Sequence, residues 1–418
     1  MKLLVAGIDL GTSGCRIIVI DNDKKIQFSQ SIHYQSADKQ TPELWLFSVY
    51  TLLDKLPEPL KKQLVALAID GTSGSILLTD QAGEPSSSVL MYDDLRAVDE
   101  AKLIKKVMPE QNGGQGASGS LARLMWLLKN QASSKHRYAL HQADYVLGSL
   151  ANNFRLSDEN NALKLGYDVI NRRWLIPEIR QLGINPDFLP DVFRSGTVVA
   201  KIDKKIANKL GLSASLQLVS GTTDSIAAFI ATDANKIGDA VTSLGSTLVV
   251  KIIAEQPLFS SEFGIYSHRL GDKWLVGGAS NSGGKVLRHF FNQKEIDQMT
   301  AKLQPNKITG LNYYPLVSTG ERFPIADPEK HAILTPRPED NVRFFQGILE
   351  GIARIEQAAY AKLAELGAPH VNAVRTVGGG SYNSAWTSIR QQALSVNMIA
   401  VEHTDAAYGV ALLALRRS

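Results

Sequence analysis

Two stretches far apart in the chain share one plan. Residues 6–20 read Ala-Gly-Ile-Asp-Leu-Gly-Thr-Ser-Gly-Cys-Arg-Ile-Ile-Val-Ile, and residues 240–252 read Ala-Val-Thr-Ser-Leu-Gly-Ser-Thr-Leu-Val-Val-Lys-Ile. In each, a β-rich run reaches Leu-Gly, two hydroxyl residues follow, and a second β-rich run resumes. Such a repeat implies two related halves, each opening on a hairpin. Gly11 and Gly245 are expected to supply the positive φ and close backbone approach of a tight turn beside a ligand. The N–H groups and hydroxyls of Thr12, Ser13, Ser246 and Thr247 can then hold phosphate oxygens. Only the first hairpin carries an acid, Asp9, so the halves differ in chemistry.

Composition narrows the rest. A chain of 418 residues with 44% hydrophobic and 21% charged residues is a globular protein of two or three domains. Its net charge of +4 is small and scattered, which argues against nucleic acid or a membrane surface as partner. One cysteine, Cys15, excludes an intramolecular disulfide and fits a reducing compartment. No apolar run reaches the ~18–20 residues of a membrane span, and Leu3–Ala6 is too short for a signal-peptide core. A cytoplasmic location is expected.

Strands are expected at 3–9, 15–20, 27–33, 64–70, 75–79, 216–220 and 396–401. Helices are expected at 43–56, 120–131, 138–152, 342–366 and 404–416. The 342–366 helix has an apolar stripe through Phe345, Ile348, Leu349, Ile352, Ala359 and Leu363, and Gly367 with Pro369 ends it.

Four segments carry chemistry. An acid at the end of a buried strand is costly unless paired, hydrated or near a metal, so Asp9 is a candidate to orient Mg²⁺. Asp70-Gly71-Thr72-Ser73-Gly74 repeats the strand–acid–glycine–hydroxyl theme, and Ser73 can meet a polyol. Gly221-Thr222-Thr223-Asp224-Ser225 runs from a strand into an apolar helix. Asp224 at that helix start is either a structural cap or the acceptor of a proton from an attacking hydroxyl. In Val377-Gly378-Gly379-Gly380-Ser381-Tyr382-Asn383, three glycines leave a bare wall for a flat ligand, with Asn383 placed to hydrogen-bond a nucleoside. Gly114 to Gly119 fits a dinucleotide-loop pattern but has no strand leading into it. No Ser-His-Asp arrangement or histidine metal spacing stands out.

With these residues in view, the chain resembles the FGGY carbohydrate kinases of the actin-like ATPase superfamily. Gly7 to Ser13 is similar to that family's first phosphate segment and Ser243 to Thr247 to its second. Gly221 to Asp224 resembles the segment with its catalytic base, and Gly378 to Asn383 its adenosine motif. The resemblance implies an α/β fold of two ribonuclease-H-like (actin-like ATPase) domains with an interdomain active-site cleft. The first would span 1–225 plus 403–418 and bind sugar; the second would span 226–402 and bind nucleotide.

The resemblance further implies ATP and Mg²⁺, with Asp224 as base and Asp9, Ser73, Asp94, Arg96 and Asp224 as sugar contacts. Gly11, Thr12, Ser13, Gly245, Ser246, Thr247, Gly378, Gly379, Gly380 and Asn383 would hold the nucleotide. Members often place Trp where this chain has Tyr92, ahead of Asp94 and Arg96. The short length and Asn161 to Asp168 resemble the short cyanobacterial and plant-type pentulose kinases, implying D-ribulose as acceptor, with D-xylulose the alternative. A catalytically inactive sugar or nucleotide sensor and a protein-directed ATPase are the readings from other classes. Retention of both Asp9 and Asp224 argues against the sensor. The ATPase reading lacks a filament or peptide-binding appendage.

Overall fold

The computed structural model describes residues 3–35, 40–117 and 119–416. The chain forms two compact units, Met1–Asp233 with His403–Ser418, and Ala234–Glu402. Ser118 of the glycine run at 114–119 lies outside the described residues.

The first unit contains β1 (Leu4–Leu10), β2 (Gly14–Asp21), β3 (Ile26–His33), β4 (Leu64–Gly71), β5 (Ile76–Thr79), β6 (Tyr138–His141), β7 (Leu156–Asp158), β8 (Asp191–Phe193), β9 (Val198–Lys201) and β10 (Gln217–Thr223). Six of them form one sheet in the order β3-β2-β1-β4-β10-β9. β1 and β2 make the antiparallel hairpin, and β4 and β10 run parallel to β1. β1 is apolar apart from Asp9 because both of its faces are covered. Leu4, Ala6, Ile8 and Leu10 join Trp45, Val49, Leu52 and Leu53 in one core. Those four come from the helix Pro42–Asp54, which Thr41 caps by accepting the Leu44 N–H. On the other face, the C-terminal helix Ala406–Arg416 lies against β1. A Cβ on Gly7 would stand 2.1 Å from the Ala407 carbonyl oxygen.

Gly409 brings the same helix equally close to Asp224–Ala231, since its Cβ would lie 1.8 Å from the Ala227 oxygen. This contact keeps residues 226–233 in the first unit, so the division expected after residue 225 falls at 233 instead. The 138–152 segment also differs from its expected single helix. Tyr138–His141 pairs antiparallel with β5, and only Gln142–Ala151 is helical. The unpaired edge of β5 outweighs local helix preference there.

The second unit holds β11 (Asp239–Leu244), β12 (Leu248–Ala254), β13 (His268–Leu270), β14 (Lys273–Ser280), β15 (Ala373–Val377) and β16 (Asn397–Ile399), in the order β13-β14-β12-β11-β15-β16. β11 and β12 form an antiparallel hairpin and β15 runs parallel to β11. That repeats the β2-β1-β4 arrangement of the first unit, so the sequence echo is a fold echo. The long helix spans Asn341–Glu365, with Asp340 accepting the Val342 N–H at its start.

One buried ion pair ties this unit together. Arg390 donates through Nε and Nη2 to both oxygens of Glu356, at 2.6 and 2.7 Å, and neither side chain is exposed. Arg390 also donates to Thr376 of β15, while Thr242 of β11 bonds Glu356 and Tyr360. Removing one partner strands the other charge without water. Glu356→Ala is expected to lose about 3–5 kcal/mol of unfolding free energy, read by denaturant titration. A loss under ~1 kcal/mol would mean the pair is not holding these elements.

Candidate active site

Three adjacent parallel strands end on acids. In the β1–β4 pairing Asp9 stands opposite Asp70, and in the β4–β10 pairing Thr222 stands opposite Asp70. Asp224 follows β10 directly as the first residue of its helix, where its Oδ1 accepts the Ser225 N–H at 2.6 Å. Asp70 is fully buried and neither of its carboxyl oxygens meets a donor, nor does Oδ1 of Asp9. Two carboxyl groups side by side can bond only if one carries a proton. Burial, then the charges of Asp9, Asp224 and Asp158, push Asp70 well above the usual carboxylate range. Burial also raises Asp9, to about 6, with the hydrogen bond from Asp70 opposing it and Asp224 adding to it. Of the two, Asp70 is the more deeply buried, and burial with its acidic neighbours favours its protonated form.

Asp158 extends the acidic cluster. Burial, then the charge of Asp144, raises it to about 7, while the Asn160 and Asn161 N–H groups hold it in place. Asn160 Nδ2 in turn donates to Thr222 at 3.0 Å.

The residues expected to contact a sugar lie in the same unit. Ser73 Oγ is buried without a partner, as is Thr223 Oγ1. Asp94 and Arg96 close on each other: Arg96 Nε reaches both carboxylate oxygens at 2.9 Å, and its guanidinium lies 4.8 Å from the Trp126 ring centre. Burial raises the Asp94 carboxyl, but the Arg96 hydrogen bonds win and hold it below the usual range. Arg123 is fully buried and donates to the carbonyls of Gly74, Tyr92 and Asp94, pinning the Ser73 loop to the 92–94 segment. Burial pushes Arg123 down to about 10. It is a positioning residue that sequence reasoning passed over; buried arginine on an apolar helix was the available signal.

The first hairpin is braced by amides that the sequence did not mark. Gln40 Nε2 donates to the Thr12 carbonyl at 2.7 Å, and its Oε1 accepts from Trp45 and Gln142. Gln142 Oε1 accepts from the Thr72 N–H and hydroxyl. One amide chain thus couples the Thr12 turn to the Thr72–Ser73 loop. A Ser120–His141–Asp144 relay also exists, with His141 2.8 Å from Ser120 and 3.1 Å from Asp144, against the expectation that none stands out. All three are sealed from solvent at 0–2% exposure, so it serves as packing.

Neither Gly11 nor Gly245 adopts a left-handed φ, contrary to expectation. A Cβ on Gly245 would come no nearer than 3.8 Å to its own unit, one on Gly11 no nearer than 3.4 Å, and one on Gly379 would meet nothing. The fold of each unit does not require glycine at these points. The space left is on the open side. In the second unit it belongs to a cavity of about 350 Å³ lined by Leu244, Gly245, Ser246, Gly380, Asn383 and Trp386. Gly378 is different: its φ is +84° and a Cβ there would stand 2.9 Å from the Leu244 carbonyl oxygen, so the position demands glycine. Asn383 lines the cavity while its Oδ1 caps the helix Ser384–Leu394 and its Nδ2 reaches Thr300 at 3.2 Å.

Residues 4–231 match the N-terminal domain of the FGGY family of carbohydrate kinases, and residues 240–418 match its C-terminal domain. The chain belongs to this family. It is a carbohydrate kinase, a phosphotransferase, and FGGY kinases use ATP. The xylulose kinase of Staphylococcus xylosus is 21% identical, over 98% of this chain and 90% of its own length. The gluconokinase of Bacillus subtilis strain 168 is 21% identical, over 99% and 88%. The crystal structure of a xyloylose kinase from Brucella ovis shares the fold at TM-score 0.87 and 20% identity, over 99% of this chain and 90% of that one.

The FGGY residues present suit a magnesium nucleotide. Asp9 offers an unpartnered carboxylate oxygen, and among the described residues no cluster of three or more His, Cys, Asp or Glu side chains could hold a metal alone. Mg²⁺ bound by one carboxylate, waters and phosphate oxygens needs no more.

Two outcomes follow. Gly245→Ala is expected to fold as stably as the parent or ~0.4–1 kcal/mol better by thermal denaturation, yet to lose ATP affinity tenfold or more by calorimetry. Unchanged affinity would mean the open space is not a ligand's. For Asp70, a raised native pKa makes its stability contribution full below the unfolded value near ~3.9; that contribution is lost as pH rises through the native value. Asp70→Asn should therefore melt above the parent near about pH 8, the gap closing toward about pH 4. A gap that widens on acidification would refute a raised Asp70 carboxyl.

Proposed function

We propose that this kinase transfers the γ-phosphoryl group of ATP to the terminal hydroxyl of a neutral ketopentose, with Asp224 as the proton acceptor. Asp224 begins the helix after β10, the strand that pairs with β4 and so neighbours the buried Asp9–Asp70 pair. Phosphoryl transfer needs a positioned base and neutralised phosphates rather than a covalent nucleophile. In this reading Asp9 holds Mg²⁺, which neutralises phosphate charge when bound. Thr12 and Ser13, with Gly245, Ser246 and Thr247, hold the phosphates. Gly378, Gly379, Gly380 and Asn383 wall the adenosine. The proposed domain roles follow: residues 1–233 with 403–418 take the sugar and residues 234–402 the nucleotide.

The single observation that carries a neutral acceptor is the state of two cations, Arg123 against the Ser73 loop and Arg96 against Asp94. Arg96 is held bidentately by Asp94, and Arg123 by three carbonyls. A sugar acid would bring a carboxylate to a place already crowded with Asp9, Asp70, Asp158 and Asp224. The unpartnered hydroxyl of Ser73 suits a sugar hydroxyl instead. D-ribulose is the first reading. D-xylulose is the second, favoured by the curated relatives that are xylulose kinases.

The test is ADP release with D-ribulose, D-xylulose, gluconate and glycerol. A pentulose is expected to stimulate turnover at least tenfold over gluconate, and Asp224→Asn to lower that rate by ~10²–10⁴. Gluconate as best acceptor would end the neutral-sugar reading; a near-parental rate for Asp224→Asn would end its role as base.

A further inference from the structure

We propose that Arg288 is a nucleotide-phosphate ligand of the second unit, supplying the positive charge that its hairpin lacks. The inference rests on the ATP reading above and adds a residue to it. The hairpin at Leu244–Thr247 offers backbone N–H groups and hydroxyls but no cation, whereas a nucleoside triphosphate carries several negative charges. Arg288 lines the same cavity as Gly245, Ser246 and Gly284, and its Nη2 donates to Ser246 Oγ at 2.9 Å. This one hydrogen bond points the guanidinium at the turn where phosphate is expected.

The turn is firmly held against the helix Gly284–Phe290 that carries Arg288. Gly284 N–H donates to the Gly245 carbonyl at 2.9 Å and Lys285 N–H to the Ser246 carbonyl at 3.1 Å. Leu248 N–H donates to the Ser282 carbonyl on the approach to that helix. The spacing between guanidinium and hairpin is thereby set by backbone hydrogen bonds rather than by a flexible loop. Among the described residues no carboxylate forms an ion pair with Arg288. The one acid lining the cavity, Asp297, accepts from Gln293 Nε2 at 2.8 Å. An arginine fixed by a hydroxyl and not neutralised by an acid keeps most of its donors for an anion. Arginine suits this task because its fork meets two phosphate oxygens at once.

The experiment is calorimetric binding of ATP, ADP and adenosine to the full-length protein, comparing the parent with Arg288→Gln, Arg288→Lys and Ser246→Ala. Glutamine keeps a donor for Ser246 but removes the charge, so it separates phosphate binding from support of the hairpin. Arg288→Gln is expected to weaken ATP and ADP about tenfold and leave adenosine within twofold. Arg288→Lys should recover part of the loss, and Ser246→Ala should weaken ATP less than Arg288→Gln does. Equal weakening of all three ligands would overturn the proposal by making Arg288 a structural support. Parental ATP affinity in Arg288→Gln would overturn it while leaving the kinase reading intact. A parent protein that binds adenosine and neither phosphorylated ligand would overturn both.

Discussion

A fully buried carboxyl group with no donor facing it is the interaction around which the first unit is organised. Asp70 lies in the middle of three parallel strands, where a free charge would cost several kcal/mol. Its neighbour across the β1–β4 ladder is another acid, and no cation reaches it. The arrangement is tolerable because burial and the neighbouring acids favour the neutral form of Asp70, which removes the buried charge. The strand register fixes this pairing: a slip of one residue would turn Asp9 to the opposite face of β1. Acids gathered at such a cost in stability are a mark of functional sites.

The remaining machinery is held from behind. Arg123 gathers three carbonyls, Gln40 and Gln142 form an amide chain, and neither set needs to touch a ligand. These buried, satisfied networks give the Thr12 turn and the Ser73 loop fixed positions. In the second unit the Glu356–Arg390 pair does the same for the strands beneath the cavity. It joins β11, β15, the long helix and the helix that starts at Ser384. Close helix approach depends on Gly7 and Gly409, where any side chain would collide with backbone.

Much of the architecture was legible because it rests on local periodicity. The β1–β2 hairpin, β4, the Asn341–Glu365 helix and the C-terminal helix all appear within a few residues of their expected limits. The duplicated hairpins correctly announced two units of one plan. The 138–152 segment was misread because its first four residues answer to β5, a partner about sixty positions away in sequence. Gly11 and Gly245 were expected to need a positive φ, but their φ values are ordinary, and a Cβ on either would come no nearer than 3.4 Å to its own unit. Asp94 and Arg96 were expected as sugar contacts, and the sequence did not show that they also pair with each other.

By itself the sequence determined which short segments carry acids, glycines and hydroxyls at strand ends, because β-strands and their turns are written in alternation and local composition. Tertiary structure alone decided which acids become neighbours, which arginines are spent, and which glycines face open space. Those outcomes depend on strand order and on burial, and both are set by contacts between residues far apart in the chain. A carboxylate in water and a carboxylate under a sheet are the same letter, and only desolvation distinguishes them.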